Sequence, residues 1–149
     1  MGQLQVEVLG PLRVRLDGRP VPVGGPSQER VLAALVAAAG RSVSVDRLVE
    51  AVWGEEPPRT AISTLRTLVS RLRRIVGDRL VATPSGYSLG LTPDETDVGR
   101  FERLRTLALA GGGSAGSAAL DEALGLWRGE AFEGHGSIPV VVAEARRLE

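Results

Sequence analysis

The chain of 149 residues is 43% hydrophobic, ample for the core of one large or two small domains, which excludes a disordered or fibrous protein. It has no Cys, which excludes disulfides, thiolate metal sites and thiol catalysis together. Its formal net charge of zero is a cancellation, since residues 1–90 carry twelve Arg against eight acids and residues 91–149 carry six Arg against ten.

Leu4, Val6 and Val8 alternate with Gln3, Gln5 and Glu7, the pattern of a half-buried strand. Leu12–Leu16 alternates again, Asp17-Gly18 signals a turn, and Pro20–Val23 returns as a third short strand. A first helix is predicted over Ser27–Ala39, with Val31, Leu32, Leu35, Val36 and Ala39 on one face and Gly40 as its stop. A short second helix starts at the N-cap Ser44, carries Leu48, Val49, Val52 and Trp53 on its apolar face, and ends at Gly54. Glu55–Arg59 is a loop, because Pro57-Pro58 cannot continue a helix.

A third helix is predicted from Thr60 to Val76, closed by Gly77. Ile62, Leu65, Leu68, Val69, Leu72 and Val76 form one apolar stripe, with Ile75 at its edge. The opposite face reads Thr60, Ser63, Thr67, Ser70, Arg71 and Arg74. Arg79–Ala82 and Tyr87–Leu91 then form a hairpin around Thr83-Pro84-Ser85-Gly86. Beyond Pro93 the chain turns acidic and helical: one amphipathic helix through Val98, Phe101, Leu104, Leu107 and Ala108, a break at Gly111–Ser114, and a second through Leu120, Ala123, Leu124 and Trp127. Gly129–Pro139 is loop-like, and a further helix begins at Val140.

The feature that carries chemistry is the third helix. Its apolar stripe serves the core, while Arg71, Arg73 and Arg74 share its remaining surface with short hydroxyl residues that keep the helix slim enough for a major groove. Arg bonds guanine O6 and N7 or phosphate oxygens. A basic helix face is by itself commonplace, but a short helix, a loop, a long basic helix and a hairpin in succession match a helix-turn-helix with a wing. The candidate DNA-binding set is Arg59, Thr60, Ser63, Arg66, Thr67, Ser70, Arg71, Arg73 and Arg74, with Thr83 and Ser85 at the wing tip. Arg71 and Arg74 are the candidates for base contact and Arg73 for a phosphate at the edge.

Leu65–Leu89 resembles the recognition helix and wing of OmpR-type winged-helix domains. The larger pattern resembles the Streptomyces antibiotic regulatory protein family of AfsR/DnrI/RedD-like activators. The residues that carry the likeness are Val8–Leu12, Ser44–Gly54, Ser70–Arg74 and Gly86-Tyr87, followed by Asp97–Glu102 and Ala123–Gly129. The resemblance implies an α+β winged helix-turn-helix over residues 1–92, then the beginning of an all-α, tetratricopeptide-like bacterial transcriptional activation domain over residues 93–149. It further implies an activator that binds direct repeats in promoters, often of secondary-metabolite genes, as a homodimer or as side-by-side protomers on DNA, and engages RNA polymerase with its sigma factor. The wing tip departs from the family pattern, since it has no basic residue where relatives commonly place one.

The alternative is a protein-interaction module whose winged helix docks protein rather than DNA. No enzyme is expected, because a chain without Cys or Lys and with one His has few acid-base or nucleophilic schemes open to it. No cofactor or metal site is expected either: His135 sits among glycines without ligand spacing, and Gly24–Ser27 lacks the Lys of a phosphate loop. Trp53 and Trp127 read as core residues. Met1–Leu9 has no leader pattern, and the apolar run Val31–Ala39 falls far short of the ~20 residues that span a bilayer, so a cytoplasmic, nucleoid-associated protein without membrane contact is expected.

Overall fold

The computed structural model describes residues 3–148, and its first elements follow from the alternation of the opening residues. In β1 (Leu4–Glu7), Leu4 and Val6 are buried; the strand pairs antiparallel with β2 (Arg13–Leu16) in the register Leu4↔Leu16 to Glu7↔Arg13. Asp17 and Gly18 both take positive φ, as a tight hairpin turn requires, and β3 (Arg19–Val21) completes the order β1-β2-β3. The third strand therefore lies slightly earlier than the predicted Pro20–Val23.

The described residues divide into two compact units, each assembled from two stretches of chain. The first takes the residues up to Pro20 together with Thr92–Glu133; the second takes Val21–Leu91 and the residues from Gly134 onward.

In the first unit, a 3-10 turn over Pro93–Glu95 is held by a capping box between Thr92 and Glu95, and α4 (Asp97–Ala110) follows with Thr96 Oγ1 accepting from Gly99 N at 2.9 Å. α5 (Gly113–Gly125) starts inside the glycine run, so the break is confined to Gly111 and Gly112. Trp127 lies beyond the end of α5, where its ring meets Phe101 edge-to-face at 5.4 Å. Asp97 is buried, and its carboxylate accepts from Val8 N at 2.9 Å and from Leu9 N at 2.9 Å. Burial raises the Asp97 carboxyl above its ordinary pKa despite these bonds. At the end of β1, Arg128 N donates to Leu9 O at 2.7 Å and Arg128 Nη2 to Pro11 O at 2.8 Å. Gly10 permits this approach: its φ is +149°, and a Cβ there would stand 2.9 Å from Arg128 Cβ. Glu7 is paired with Arg13 at 2.6 Å and lies near Arg15 and Arg100; burial works to raise its pKa, but the charges of Arg13, Arg15 and Arg128, with the hydrogen bond from Arg13, outweigh it and lower it from its ordinary value.

In the second unit, α1 (Pro26–Ala37) buries Val31, Leu32 and Leu35. It ends two residues before the predicted Ala39, because Ala39 and Gly40 both take positive φ and leave the helix. β4 (Val43–Ser44) leads straight into α2 (Val45–Trp53), α3 (Ala61–Val76) follows, and β5 (Leu80–Ala82) and β6 (Gly86–Leu89) form a second sheet of order β4-β6-β5. α6 (Pro139–Leu148) packs on α1. The three helices α1, α2 and α3 share a core of Val31, Leu35, Leu48, Leu65 and Leu72, all at most 1% exposed. Arg30 Nη2 donates to Ser137 Oγ at 2.9 Å in the loop before α6. His135 in that loop is buried, and burial together with the Arg30 charge lowers its pKa. Among the described residues no group of three or more His, Cys, Asp or Glu could hold a metal ion, and no helix is long and apolar enough to cross a membrane.

Candidate nucleic-acid interface

The helix-turn-helix is positioned by local capping. Ser44 Oγ accepts from Arg47 N at 3.1 Å, Asp46 sits in the first turn where the helix dipole favours an acid, and Gly54 at φ +67° closes α2 with its N–H on Glu50 O at 2.7 Å. After Pro57-Pro58, Ala61 N donates to Pro58 O at 3.0 Å and Thr64 N to Thr60 O at 2.9 Å, which starts α3. Gly77 at φ +65° ends it. At 1.5 Å per residue, its sixteen residues span roughly 24 Å.

Ala61, Leu65, Leu68, Val69, Leu72 and Val76 are the buried face of α3. Thr60, Ser63, Arg66, Thr67, Ser70, Arg71, Arg73 and Arg74 are all exposed, and so is Arg59 just before the helix. The structure therefore brings nine of the eleven sequence-predicted residues onto one helix and its entry. Ser63 Oγ donates to Thr60 O at 3.0 Å and Thr67 Oγ1 to Ser63 O at 3.3 Å, so these side chains fold back on the helix and keep its profile low. From Pro57 to Gly77 the chain has five Arg and no acid. Among the described residues, Arg59, Arg66, Arg71 and Arg74 have no hydrogen bond or ion pair. Arg73 differs: its Nε donates to Leu80 O at 3.1 Å and braces α3 against the first wing strand.

The remaining two residues belong to the wing turn and are engaged locally. Thr83 N donates to Gly86 O at 2.8 Å, Gly86 N donates to Thr83 Oγ1 at 3.0 Å, and Ser42 Oγ lies 2.6 Å from Thr83 Oγ1 and 3.3 Å from Ser85 Oγ. Thr83 and Ser85 thus help to shape the turn. The pairing of β4 with β6, Val43↔Tyr87 and Ser44↔Gly86, ties the wing to the start of α2. Sequence reasoning missed this strand, because two residues are too few for any period. A Cβ at Gly86 would collide with Val43 O, so Gly86→Ala is expected to cost about 1–3 kcal/mol and to loosen the wing, read as a lower denaturation midpoint and faster amide exchange at Tyr87.

Ile62 is a correction. Periodicity assigns it to the apolar stripe, yet it is 53% exposed. It occupies the first turn of α3, where the core has no partner left for it, and lines a cleft of about 200 Å³ between α3 and the wing.

Comparison with known proteins bears on the fold and the family. The family model described as "Transcriptional regulatory protein, C terminal" matches residues 21–89, and that of the "Bacterial transcriptional activator domain" matches residues 96–149. The transcriptional regulatory protein EmbR of Mycobacterium tuberculosis is 39% identical over 142 residues, covering 88% of this chain and 37% of that protein. The regulatory protein AfsR of Streptomyces coelicolor is 37% identical over 153 residues, covering 99% of this chain and 15% of that protein. The regulatory protein DnrI of Streptomyces peucetius is 32% identical over 145 residues, 87% of this chain and 53% of that protein. A solved structure of M. tuberculosis EmbR in complex with a low-affinity phosphopeptide superimposes with a TM-score of 0.88 at 36% identity, covering 99% of this chain and 42% of that one. The chain thus spans about half or less of the length of these relatives. Their names and the matched families are those of transcriptional regulators and not of enzymes.

Proposed function

We propose that this chain, which belongs to the Streptomyces antibiotic regulatory protein family of transcriptional regulators, binds promoter DNA by laying α3 in the major groove. The face of α3 supports this reading: Arg59, Arg66, Arg71 and Arg74 stand exposed and, among the described residues, unpaired, on a stretch without a single acid. Arginines on a helix face are stabilised by carboxylates at i±3 or i±4, and a row without them is suited to a polyanion.

In this reading Arg71 and Arg74 reach base edges. Thr60, Ser63, Thr67 and Ser70 allow close approach, Arg59 and Arg66 meet phosphates, and Arg73 meets a phosphate from its brace on Leu80. Thr83 and Ser85 border the backbone at the wing. The sites are direct repeats in promoters of secondary-metabolite genes, occupied by a homodimer that contacts RNA polymerase and its sigma factor, in the cytoplasm at the nucleoid. By sequence, residues 1–92 act as the DNA-binding module and residues 93–149 as the opening of the activation domain; the compact units group the same residues differently.

The test is a random-sequence DNA selection with the 149-residue chain, followed by affinity measurements on the selected site at two salt concentrations. For the three phosphate contacts of each chain, affinity falls on the order of fortyfold per bound chain from about 50 to about 200 mM salt. A flat salt response contradicts the electrostatic contacts, and retention of no DNA favours protein docking by the winged helix.

A further inference from the structure

Ile62 is out of place on its helix face. Its exposed neighbours are Thr60, Ser63, Arg66 and Thr67, all polar, while Ile62 presents a β-branched hydrocarbon to solvent at 53% exposure. The core positions of the same helix are taken by Leu65, Val69 and Leu72, each at most 2% exposed. Val45, Pro84 and Tyr87 line the same cleft with Ile62 and Arg66. The surroundings are cationic, with Arg59 three residues before Ile62 and Arg66 one turn after it, which suits a nucleic acid better than an apolar protein ligand. Base edges in the major groove present a single apolar group, the 5-methyl of thymine.

We propose that Ile62 is a specificity-determining residue that packs against one thymine 5-methyl group and lets the chain distinguish thymine from cytosine at that position. The proposal rests on the reading of α3 as the major-groove element. Arginines supply affinity and guanine recognition, but none of them presents a branched hydrocarbon to a methyl group. A half-exposed isoleucine does. The contact buries roughly one methyl on the DNA side, which corresponds to about a fourfold change in affinity.

The test uses the 149-residue chain and its selected DNA site, with each thymine replaced singly by deoxyuridine, which removes only the methyl group. In each repeat one thymine is expected at which this replacement weakens the wild-type chain about fourfold and leaves Ile62→Ala unaffected, a coupling that a double-mutant cycle isolates. Arg74→Ala, weakened overall, should keep the full methyl dependence. Binding in which no thymine methyl matters, or in which the dependence survives Ile62→Ala, overturns the proposal while leaving the DNA-binding reading intact. Failure of the wild-type chain to retain any DNA overturns both. Ile62 is exposed and bonded to nothing, so Ile62→Ala should match the wild-type unfolding midpoint, and a large drop in that midpoint also counts against a recognition role.

Discussion

Asp97→Ala is expected to lower the free energy of unfolding by about 2–6 kcal/mol, a large share of what a domain of this size possesses. The Asp97 carboxylate is 1% exposed and accepts hydrogen bonds from the backbone N–H groups of Val8 and Leu9. Removing it strands two buried donors, each costing about 1–3 kcal/mol, and takes an acid from the first turn of α4. Chemical denaturation reads the loss, and hydrogen exchange at Val8 and Leu9 shows where it acts; protection of those amides at the wild-type level in the Ala variant would refute the account. Asp97→Asn keeps one acceptor and should lose less. The pH dependence has a definite sign. Because burial raises the folded pKa of Asp97, its contribution is greatest below the ordinary aspartate value and declines as pH rises through the raised one. The stability gap between the wild type and Asp97→Asn should therefore narrow from acid toward neutral pH. Glu7 runs the other way, since its lowered pKa gives stability above the ordinary glutamate value that is lost as pH falls.

The double substitution Arg71→Ala, Arg74→Ala should weaken DNA binding by about two orders of magnitude or more while leaving the free energy of unfolding within about 0.5 kcal/mol of wild type. Each lost base contact costs about 1–3 kcal/mol, and the two residues share one turn, so their effects need not add. Fold and binding separate here because both side chains are exposed and bond to no other described residue. Titration of the selected DNA site, with a mismatch at each guanine, distinguishes roles. Relaxed discrimination at a guanine marks a base contact, whereas a uniform loss with a shallower salt dependence marks phosphate contacts. Unchanged affinity and unchanged preference would show that α3 presents a different face to DNA.

The elements that sequence reasoning located well are those whose causes are local. Ser44 caps α2 from three residues away, Gly54 and Gly77 end helices through their own positive φ, and the stripe Leu65–Val76 repeats with the helix period. The basic face of α3 follows from that stripe, because assigning one side of a helix to the core assigns the other to solvent. Ile62 shows where this logic stops. Periodicity gives an angle around the helix axis, but burial also depends on what stands opposite: in the first turn of α3 Ala61 is buried, whereas Ile62 borders a cleft toward the wing and stays 53% exposed. Arg73 is a second case. Its helical position matches that of its neighbours in every local respect, and only the fold brings Leu80 O within 3.1 Å of its Nε.

The motifs Val8–Leu12, Asp97–Glu102 and Ala123–Gly129 show the same division on a larger scale. As sequence they stand far apart, and each reads as the mark of its own segment. In the folded chain Asp97 receives the N–H groups of Val8 and Leu9, Arg128 bonds to Leu9 and Pro11, and Gly10 leaves room for Arg128, so the three motifs make one structure. Helix periods, caps and stops, and with them the basic face of α3, could be read from the chain alone because they are set by residues within a turn or two of one another. The β4–β6 pairing, the burial of Asp97, the brace on Arg73 and the exposure of Ile62 could not, because each depends on a partner, or the lack of one, that only chain folding brings to the spot.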